Sequence, residues 1–389
     1  MRVVFFCHSV QSDWNNGNAH FQRGIMAELA RRGHSVGICE PRDAWSAVNL
    51  VADAGQTALD GFRACYPQLS PYRYESAELD LDAVLDGAEL VIVHEWTPPD
   101  LVARLGRHRL SQRRYRLLFH DTHHRMATAP GEMTAYDFSH YDGILAFGGV
   151  LQAQYERLGW GGRAWTWHEA ADTSVFYPRV AAEPRRDLVW VGNWGDDERS
   201  RELSEFLIEP ARTLGLRARV HGVRYTEAAR AALARGGIEY GGWLPNYRVP
   251  NVFGEFRVTV HVPRRPYAEA LPGIPTIRPF EALACGIPLV SAPWRDTESL
   301  FTIGRDFLMA RDQGEMTRML RALLEDEAFA SALAQQGLTT IRTRHTCWHR
   351  VNELLAICRV LGMCGSEVSA PNDEPYMNTG VGEHDTVAL

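Results

Sequence analysis

Residues 275–290 read PTIRPFEALACGIPLV, and this stretch contains one repeat of an alternating helix and strand pattern. Pro279 suits the first turn of a helix, Gly286 suits the position just past its end, and Pro288 cannot continue it. The apolar run at 289–292 then has the composition of a buried strand. A short helix that leads directly into a buried strand predicts an α/β domain with a parallel sheet.

The same alternation extends over most of the chain. The apolar runs are nearly continuous rather than alternating, which is typical of strands buried on both faces of a parallel sheet. An apolar helical stripe between the first two runs ends at Gly33 and completes a strand–helix–strand unit; it consists of Phe21, Ile25, Met26 and Leu29. We predict strands at 3–6, 35–39, 90–93, 116–120, 143–147, 163–167, 187–191, 217–223, 257–262, 287–291 and 306–309.

The length of 389 residues predicts two domains, because a single core rarely grows that large. Prolines and arginines interrupt the alternation at 175–186, which we interpret as a linker between domains at 1–174 and 187–344. Residues 345–362 predict a final helix, and 363–389 have no apolar period and predict a disordered tail. The predicted fold class is α/β, with two Rossmann-like doubly wound domains facing each other across a cleft.

Composition excludes several classes of protein. A net charge of −7 argues against a nucleic-acid-binding protein, which would usually be basic. No stretch reaches eighteen apolar residues, and the first apolar run is too short for a secretory signal, so we expect a soluble, cytoplasmic protein. Seven cysteines without a CxxC pair predict buried thiols rather than disulfides or a zinc site.

The turn after the first strand, CHSVQSDWNNGNAHFQRG at 7–24, carries no GxGxxG, which disfavours a dinucleotide-dependent dehydrogenase. The chain also lacks the GxxxxGK[ST] pattern of a P-loop. This polar loop ends at Gly17 and Asn18, just before the predicted helix. It is either a solvated loop or one that leans into the cleft, with Asn18 as a cleft residue.

Two charged residues stand at the beginning of the 275–290 stretch. In one interpretation, Glu281 lies in the first helical turn and complements the helix dipole, which is worth about 0.3–1 kcal/mol. In the other, the helix N-terminus faces the cleft and its N–H groups meet a diphosphate. Arg278 would then neutralise phosphate, and Glu281 would accept hydrogen bonds from ribose hydroxyls.

The segment TIRPFEALACGIPLVSAPW resembles the donor-nucleotide motif of GT-B glycosyltransferases, in particular the CgeB-like branch. The resemblance extends over about residues 1–360 and includes a boundary segment similar to that of retaining family-four-type enzymes. It implies a metal-independent, retaining glycosyltransferase whose amino-terminal domain binds the acceptor and whose last helix crosses back toward that domain. The supporting segments are HEAADTSVFYP (168–178), LVWVGNWGDDERSREL (188–203), VHGVRY (220–225), GGWLPN (241–246) and HTCWHRVNELL (345–355).

The resemblance also assigns donor-binding roles by position. Glu281 would hold the ribose, Arg199 the diphosphate, and Trp243 with Gly242 the nucleobase. Gly273 departs from the pattern, because relatives carry a carboxylate eight residues before the ribose-binding glutamate. The backbone at Gly273 could still approach the phosphates, while the identity of the donor sugar is open at this point.

A histidine-rich loop, RLLFHDTHHR at 116–125, follows a predicted buried strand. It could hold a metal, it could be structural, or it could contact the sugar. The resemblance implies contact with the sugar. In that interpretation His120 contacts the donor sugar, and Asp121 and His123 orient His120 or touch the acceptor hydroxyl. These three residues are our catalytic candidates.

Two further features can each be interpreted in two ways. His168 and Glu169 either form a buried ion pair at the hinge or contact the active site. The basic stretch 104–116 is either a solvated face or a docking surface for an anionic membrane or an anionic acceptor.

The function predicted from these patterns is transfer of a sugar from a nucleotide-sugar co-substrate, without cofactor or metal and without a nucleic-acid partner. A nucleotide-sugar epimerase on the same fold and a non-catalytic nucleotide-sugar-binding module are the alternatives.

Overall fold

The computed structural model describes residues 1–112, 114–160, 162–180 and 185–363. Residues 181–184 of the predicted linker and the predicted tail from 364 onward lie outside the described residues. The described chain forms two parallel sheets, one from each half of the sequence.

The amino-terminal sheet has seven parallel strands in the order β3-β2-β1-β4-β5-β6-β7. All six strands predicted in this half are present, and the structure adds the short edge strand β3. The strands are β1 (Arg2–Phe6), β2 (Ser35–Pro41), β3 (Tyr72–Tyr74), β4 (Leu90–His94), β5 (Arg116–Asp121), β6 (Gly143–Ala146) and β7 (Ala164–Thr166).

The carboxyl-terminal sheet has six parallel strands in the order β10-β9-β8-β11-β12-β13. The first of them begins at Arg186, inside the predicted linker, and β10 was not predicted. The strands are β8 (Arg186–Val191), β9 (Ala218–His221), β10 (Ile238–Tyr240), β11 (Phe256–His261), β12 (Leu289–Ser291) and β13 (Leu308–Met309).

Helices connect successive strands and cover both faces of each sheet. The α-helices are α1 (Asn18–Arg31), α2 (Trp45–Ala54), α3 (Asp60–Cys65), α4 (Leu81–Val84), α5 (Pro99–Gln112), α6 (Arg125–Thr128), α7 (Pro130–Met133), α8 (Gly149–Tyr155), α9 (Ser200–Leu203), α10 (Glu209–Leu214), α11 (Glu227–Arg235), α12 (Val249–Gly254), α13 (Arg265–Ala270), α14 (Ile277–Ala284), α15 (Gln313–Glu325), α16 (Glu327–Arg344) and α17 (Cys347–Val360). Short 3-10 or π segments lie at Gln56–Leu59, Glu156–Trp160, Asp196–Glu198, Ser204–Ile208 and Asn246–Arg248.

The packing of β1 on both faces explains why its sequence is continuously apolar rather than alternating. Val3 and Phe5 belong to the core on one face of the sheet, and Val4 and Phe6 belong to the core on the other. Successive side chains of a strand point to opposite faces, so a strand covered by helices on both sides needs apolar residues at every position.

The last helix, α17, packs against α1 of the amino-terminal domain. The indole Nε1 of Trp167 donates a hydrogen bond to the carbonyl of Arg350 at 2.9 Å, and Ala171 forms a parallel bridge with Thr346. Val351 on the same helix is fully buried. The end of the described chain therefore completes the core of the first domain.

The helix in the 275–290 stretch differs from the prediction in one detail. It begins at Ile277, so Glu281 is its fifth residue and the first turn holds no acidic side chain. The prediction that Glu281 lies in the first turn was wrong, because the helix starts two residues before Pro279 rather than at it. Its end agrees with the prediction, since Gly286 follows with φ of +63°, a conformation that glycine adopts without strain.

Two predictions about composition can be compared with the described residues. The cysteines among them carry free thiols, and all of these except Cys65 are buried. None of the described helices is long and apolar enough to cross a membrane.

The basic stretch 104–116 forms the second half of α5 and the start of β5, and both Arg109 and Arg116 pair with Asp142 there at 3.1 Å.

Candidate active site

A cavity of about 510 Å³ lies between the carboxyl ends of the two sheets. The strand order reverses between β1 and β4 in the first sheet and between β8 and β11 in the second. Ligands of doubly wound sheets bind at such switch points. The cavity lies at both of them at once, because its walls come from the segments that follow these four strands. These wall residues include His8, Asp13, Asn18, Trp96, Asn193, Arg199, Val262 and Arg264.

Four arginines line the carboxyl-terminal wall: Arg199, Arg224, Arg264 and Arg278. Arg264 pairs with Glu198 at 3.4 Å, whereas Arg199 donates to backbone carbonyls, including that of Val262 at 3.0 Å. Among the described residues, no carboxylate is bonded to Arg199. Burial, followed by the positive charges of Arg264 and Arg278, lowers the pKa of Arg199 to about 9. The wall therefore concentrates positive charge that lacks a full anionic complement.

The N-termini of two helices add to this positive field. Gly17 precedes α1 and Thr276 precedes α14, both line the cavity, and neither helix start is capped by a side-chain hydrogen bond. The two helix starts are close, since a Cβ placed on Gly17 would lie 3.5 Å from Ile277 Cγ2. The first N–H groups of a helix have no intrahelical acceptor and favour anions.

Thr276 has φ of +63°, in the left-handed region that a β-branched residue rarely adopts. Such backbone strain costs about 1–3 kcal/mol and clusters at ligand-binding sites. Here the strained residue directly precedes the helix start that lines the cavity.

Glu281 is fully buried behind the cavity wall. Its Oε1 accepts a hydrogen bond from Asn246 Nδ2 at 2.5 Å and lies 3.1 Å from His20 Nδ1, while Oε2 accepts from Arg278 Nη1. Burial alone would raise the pKa of this carboxyl, but Arg278, His20 and Asn246 together hold it below its ordinary value. The predicted ribose ligand is therefore an ionised carboxylate already bonded within the protein.

The protonation of His20 follows from its second contact. The backbone N–H of Asp172 donates to His20 Nε2 at 2.9 Å, so this nitrogen carries no proton. In the neutral ring the proton is then on Nδ1, which faces Glu281. Residues from the first domain and from the second thus meet at this buried carboxylate.

Glu169 does line the cavity, and it is 4% exposed. Burial, together with the negative charge of nearby Glu281, raises the pKa of Glu169 to about 8. At neutral pH the carboxyl group is therefore mainly protonated and can donate a hydrogen bond into the cavity.

His168, the neighbour of Glu169, points elsewhere. Its Nε2 lies 2.8 Å from Glu298 Oε2, and the other oxygen of Glu298 accepts from the backbone N–H of Gly149 at 2.8 Å. The pair that holds the hinge is therefore His168 with Glu298, rather than His168 with Glu169. Glu298 also lies against Gly273, where an added Cβ would meet its Oε1.

The histidine-rich loop divides between core and cavity. His120 is 3% exposed and packs against Trp167 with ring centroids 4.9 Å apart, and burial lowers its pKa to about 3. Asp121 is also buried and accepts a hydrogen bond from Tyr155 at 2.9 Å. Neither lines the cavity, whereas His123 does. The interpretation of His120 as a sugar contact does not agree with this placement, because β5 extends to Asp121 and keeps both side chains within the sheet layers.

Trp243 and Asn18 both line the cavity. The indole Nε1 of Trp243 donates to Asp13 Oδ1 at 3.1 Å, and Asn18 Nδ2 donates to Thr122 Oγ1 at 2.5 Å. Gly242 has φ of +70°, which fits its position in the turn after β10.

Sequence reasoning missed several wall residues. Arg264 follows β11, Trp96 follows β4, and His8 and Asp13 follow β1. The available signal was position, since residues just past the carboxyl end of a parallel strand face the cleft. Among the described residues, no group of three or more His, Cys, Asp or Glu side chains is arranged to hold a metal ion.

Residues 199–356 match the family described as "Glycosyl transferase-like". This range begins at the cavity arginine Arg199, after β8, and extends through the rest of the carboxyl-terminal domain into α17. The chain therefore contains a glycosyltransferase domain. A comparison with curated proteins finds no match.

Solved structures similar to this chain are glycosyltransferases. Anabaena HepE in complex with UDP and glucose has a TM-score of 0.65 at 11% identity, with 92% of this chain and 99% of that chain covered. Sucrose-phosphate synthase from Thermosynechococcus elongatus has a TM-score of 0.61 at 13% identity, covering 93% and 99%. T4 phage BGT in complex with UDP and Mn²⁺ has a TM-score of 0.56 at 10% identity, covering 93% and 99%.

At these identities the likeness shows the fold. The two α/β domains, each built on a parallel sheet, match the GT-B arrangement over more than nine-tenths of the chain. The predicted fold class is therefore confirmed.

Proposed function

We propose that the protein transfers a sugar from a nucleoside diphosphate sugar to an acceptor hydroxyl. One observation carries the proposal: the cavity wall holds a half-buried arginine, Arg199, without a carboxylate partner among the described residues, beside Arg264 and Arg278. A cation that is partly removed from water in this way is stabilised by an anionic ligand. A diphosphate supplies the required charge, and a cavity of about 510 Å³ lies within the usual range for ligands of nucleotide size.

The arrangement of the walls suggests how the donor binds. The diphosphate would lie against the arginines and the N–H groups at the start of α14. The nucleobase would lie toward Trp243, and the sugar toward Glu169 and His123. HepE binds UDP and glucose, which supports a uridine nucleotide and a hexose as the first donor to test.

The chemical step needs a leaving group and an acceptor. The acceptor oxygen forms a bond to the anomeric carbon while the bond between that carbon and the phosphate oxygen breaks. The diphosphate leaves with the electron pair, and the hydroxyl proton passes to a phosphate oxygen. Arg199, Arg264 and the N-terminus of α14 stabilise the charge that develops on the diphosphate. Protonated Glu169 donates a hydrogen bond to a sugar hydroxyl or a phosphate oxygen.

We propose that this step needs no metal, because the arginine wall supplies positive charge where other enzymes use a divalent cation. T4 phage BGT was solved with UDP and Mn²⁺, so the comparison of metal-free and Mn²⁺-containing assays is a direct test. Retention of configuration and the CgeB-like subtype are implied by the sequence resemblance and stay proposals. The cytoplasmic location and the docking surface at 104–116 also stay predictions.

The experiment is an incubation of the protein with UDP-, GDP- and dTDP-glucose, with EDTA or with Mn²⁺, followed by analysis of free nucleotide and sugar. We expect slow release of UDP and glucose from UDP-glucose in EDTA. A new sugar epimer would instead indicate an epimerase, and binding without release would indicate a non-catalytic module. Release that requires Mn²⁺ would contradict metal independence.

A matched pair of arginine variants tests whether Arg199 contributes to nucleotide binding. Arg199→Met should abolish nucleotide-dependent stabilisation of the fold. Arg212→Met, on the exposed face of α10 where Arg212 pairs with Glu209, should leave it unchanged.

A further inference from the structure

The amino-terminal wall of the cavity presents two large aromatic side chains to solvent. Trp45 is 45% exposed and Trp96 is 43% exposed, and both line the cavity. The ring of His8 lies between them, with its centroid 6.4 Å from that of each indole. Exposed large apolar side chains grouped at a cavity mark a binding surface. We name Trp45, His8 and Trp96 the aromatic wall.

The aromatic wall is held in place from behind. Trp14 packs edge-on against Trp45 at 5.0 Å between centroids. The guanidinium of Arg125 lies 4.5 Å from the ring centroid of Trp96 and is fixed by Glu95 at 2.6 Å. The ring of His123 also packs against Trp96, with centroids 5.1 Å apart, and the rest of the indole remains exposed. A rigid aromatic surface binds a ligand at little cost in conformational entropy.

His8, the polar member of the aromatic wall, is neutral. The backbone N–H of Ser46 donates to His8 Nε2 at 3.3 Å, so in the neutral ring the proton is on Nδ1. Burial lowers the pKa of His8, which keeps the ring neutral at pH 7. Asn15 and Asn16 also line the cavity, but Asn16 Nδ2 already donates to the carbonyls of Ser9 and Ser12, and Asn15 Oδ1 accepts from Asn193 Nδ2. The aromatic wall itself therefore offers a ligand apolar ring faces and one neutral imidazole.

This combination matches the chemistry of a sugar ring, which has an apolar C–H face and a rim of hydroxyls. A flat aromatic ligand stacked between two rings is less suitable, because that arrangement needs two parallel planes. The rings of the wall are instead tilted, at 40° between His8 and Trp45 and at 52° between His8 and Trp96. A charged headgroup would find no ionised partner within the aromatic wall itself.

We propose that the aromatic wall is the acceptor subsite and that it binds a sugar ring, so that the acceptor is an oligosaccharide or another glycoside. This inference rests on the proposed function, since it names the second substrate of the same cavity. It also agrees with the position of the wall on the amino-terminal domain, opposite the arginines that would hold the donor.

The test uses UDP-glucose, or whichever donor the wild-type protein turns over, with three kinds of acceptor. These are neutral oligosaccharides of glucose, galactose, mannose and N-acetylglucosamine, the aromatic alcohol 4-methylumbelliferone, and phosphatidylcholine–diacylglycerol vesicles. We expect an oligosaccharide to accelerate UDP release and to gain one sugar by mass. If only the aromatic alcohol or the vesicles accept the sugar, or if no oligosaccharide does, the inference is overturned.

Variants of the aromatic wall separate this inference from the proposed function. Trp96→Ala should raise KM for the oligosaccharide at least about fivefold and leave KM for the donor within about twofold, because a well-placed aromatic contact is worth roughly that factor. Trp96→Phe keeps a ring face and should recover part of the loss. Phe329→Ala, at a 38% exposed aromatic on α16, is the matched control and should change neither constant.

The two proposals fail in different ways. If donor hydrolysis without an acceptor is normal in Trp96→Ala and its oligosaccharide KM is unchanged, the subsite is wrong while the proposed function stands. If the wild-type protein neither binds nor turns over any nucleotide sugar, the proposed function fails, and the subsite fails with it.

Discussion

Oε2 of Glu298 lies 2.8 Å from Nε2 of His168, so a side chain of the carboxyl-terminal domain bonds directly to one of the amino-terminal domain. The other ring nitrogen, Nδ1, lies 3.1 Å from the carbonyl oxygen of Phe147. Together with the Gly149 N–H contact, this pair joins the domains at the edge of the cleft.

We expect Glu298→Ala to loosen the contact between the domains. Loss of this largely buried pair should cost about 1.5–3 kcal/mol of the free energy that holds the two domains in this arrangement. The radius of gyration of the ligand-free protein, measured by small-angle scattering, should increase. Glu209→Ala removes an ion pair within one helix and is the control. An unchanged radius in Glu298→Ala would mean that other contacts suffice to hold the domains together.

Gly273→Ala probes the same contact from the backbone. Gly273 has φ of +95°, which strains any residue with a Cβ, and the new Cβ would also meet Oε1 of Glu298. We expect a loss of roughly 1–2 kcal/mol in the free energy of unfolding, measured with urea. The double variant Gly273→Ala/Glu298→Ala should lose less than the sum of the two single variants. Strict additivity would show that only the backbone strain matters.

Arg199→Met should weaken binding of UDP by about ten- to a hundredfold. The reason is the loss of charge-assisted hydrogen bonds to a diphosphate, each worth about 1.5–3 kcal/mol. Calorimetric titration measures the affinity of both proteins for UDP. The affinity of the wild-type protein should decrease as the salt concentration rises. If Arg199→Met binds UDP as tightly as wild type, the diphosphate does not contact this arginine.

Glu169→Gln should change how stability depends on pH. The pKa of Glu169 is raised from 4.5 to about 8, so between these values the folded protein holds a proton that the unfolded chain has released. Stability contributed by this group is therefore lost as pH rises through that window, by at most about 1.4 kcal/mol per pH unit. Glutamine resembles the protonated form at every pH.

Urea denaturation of both proteins at pH 5 and pH 8 measures the difference. We expect similar stability at pH 5 and a more stable Glu169→Gln variant at pH 8. Comparing the two proteins at each pH removes the contributions of other buried groups. A constant difference between them across this range would contradict a raised pKa for Glu169.

Glu281→Ala should destabilise the fold strongly. Glu281 is bonded by Asn246, His20 and Arg278 in the buried contact between the domains. Removing the carboxylate leaves these groups without their acceptor, at a cost of about 3–5 kcal/mol in the free energy of unfolding. Glu315→Ala, which breaks a pair with the exposed guanidinium of Arg311, should cost far less. A small loss in Glu281→Ala, with greatly reduced nucleotide affinity, would restore the role of ribose ligand.

Much of the fold could be predicted because buried parallel strands have a distinctive composition. The strands at the centre of both sheets were found within one or two residues of their ends. The edge strands Tyr72–Tyr74 and Ile238–Tyr240 were missed, since each is three residues long and alternates polar with aromatic or apolar side chains. An edge strand is half exposed, so the continuous apolar run is not required there.

The site was predictable only in part, for a physical reason. Residues that follow central strands, such as Arg199 and His123, reach the cavity as their positions suggest. Contacts between distant segments left no local pattern, as in the pairs Asp13 with Trp243 and His168 with Glu298. These depend on how the two domains meet. His120 shows the opposite error, since a side chain that still lies on its strand remains in the core.

The return of α17 to the first domain has a consequence for biosynthesis. Val351, Leu354 and Cys358 fill the core that α1 covers, yet they are made after the entire second domain. Domains usually fold in order as they leave the ribosome. Because α17 belongs to the core of the amino-terminal domain, we expect this domain to complete its core only after α17 has been synthesised, so the first domain to be made is the last to be finished.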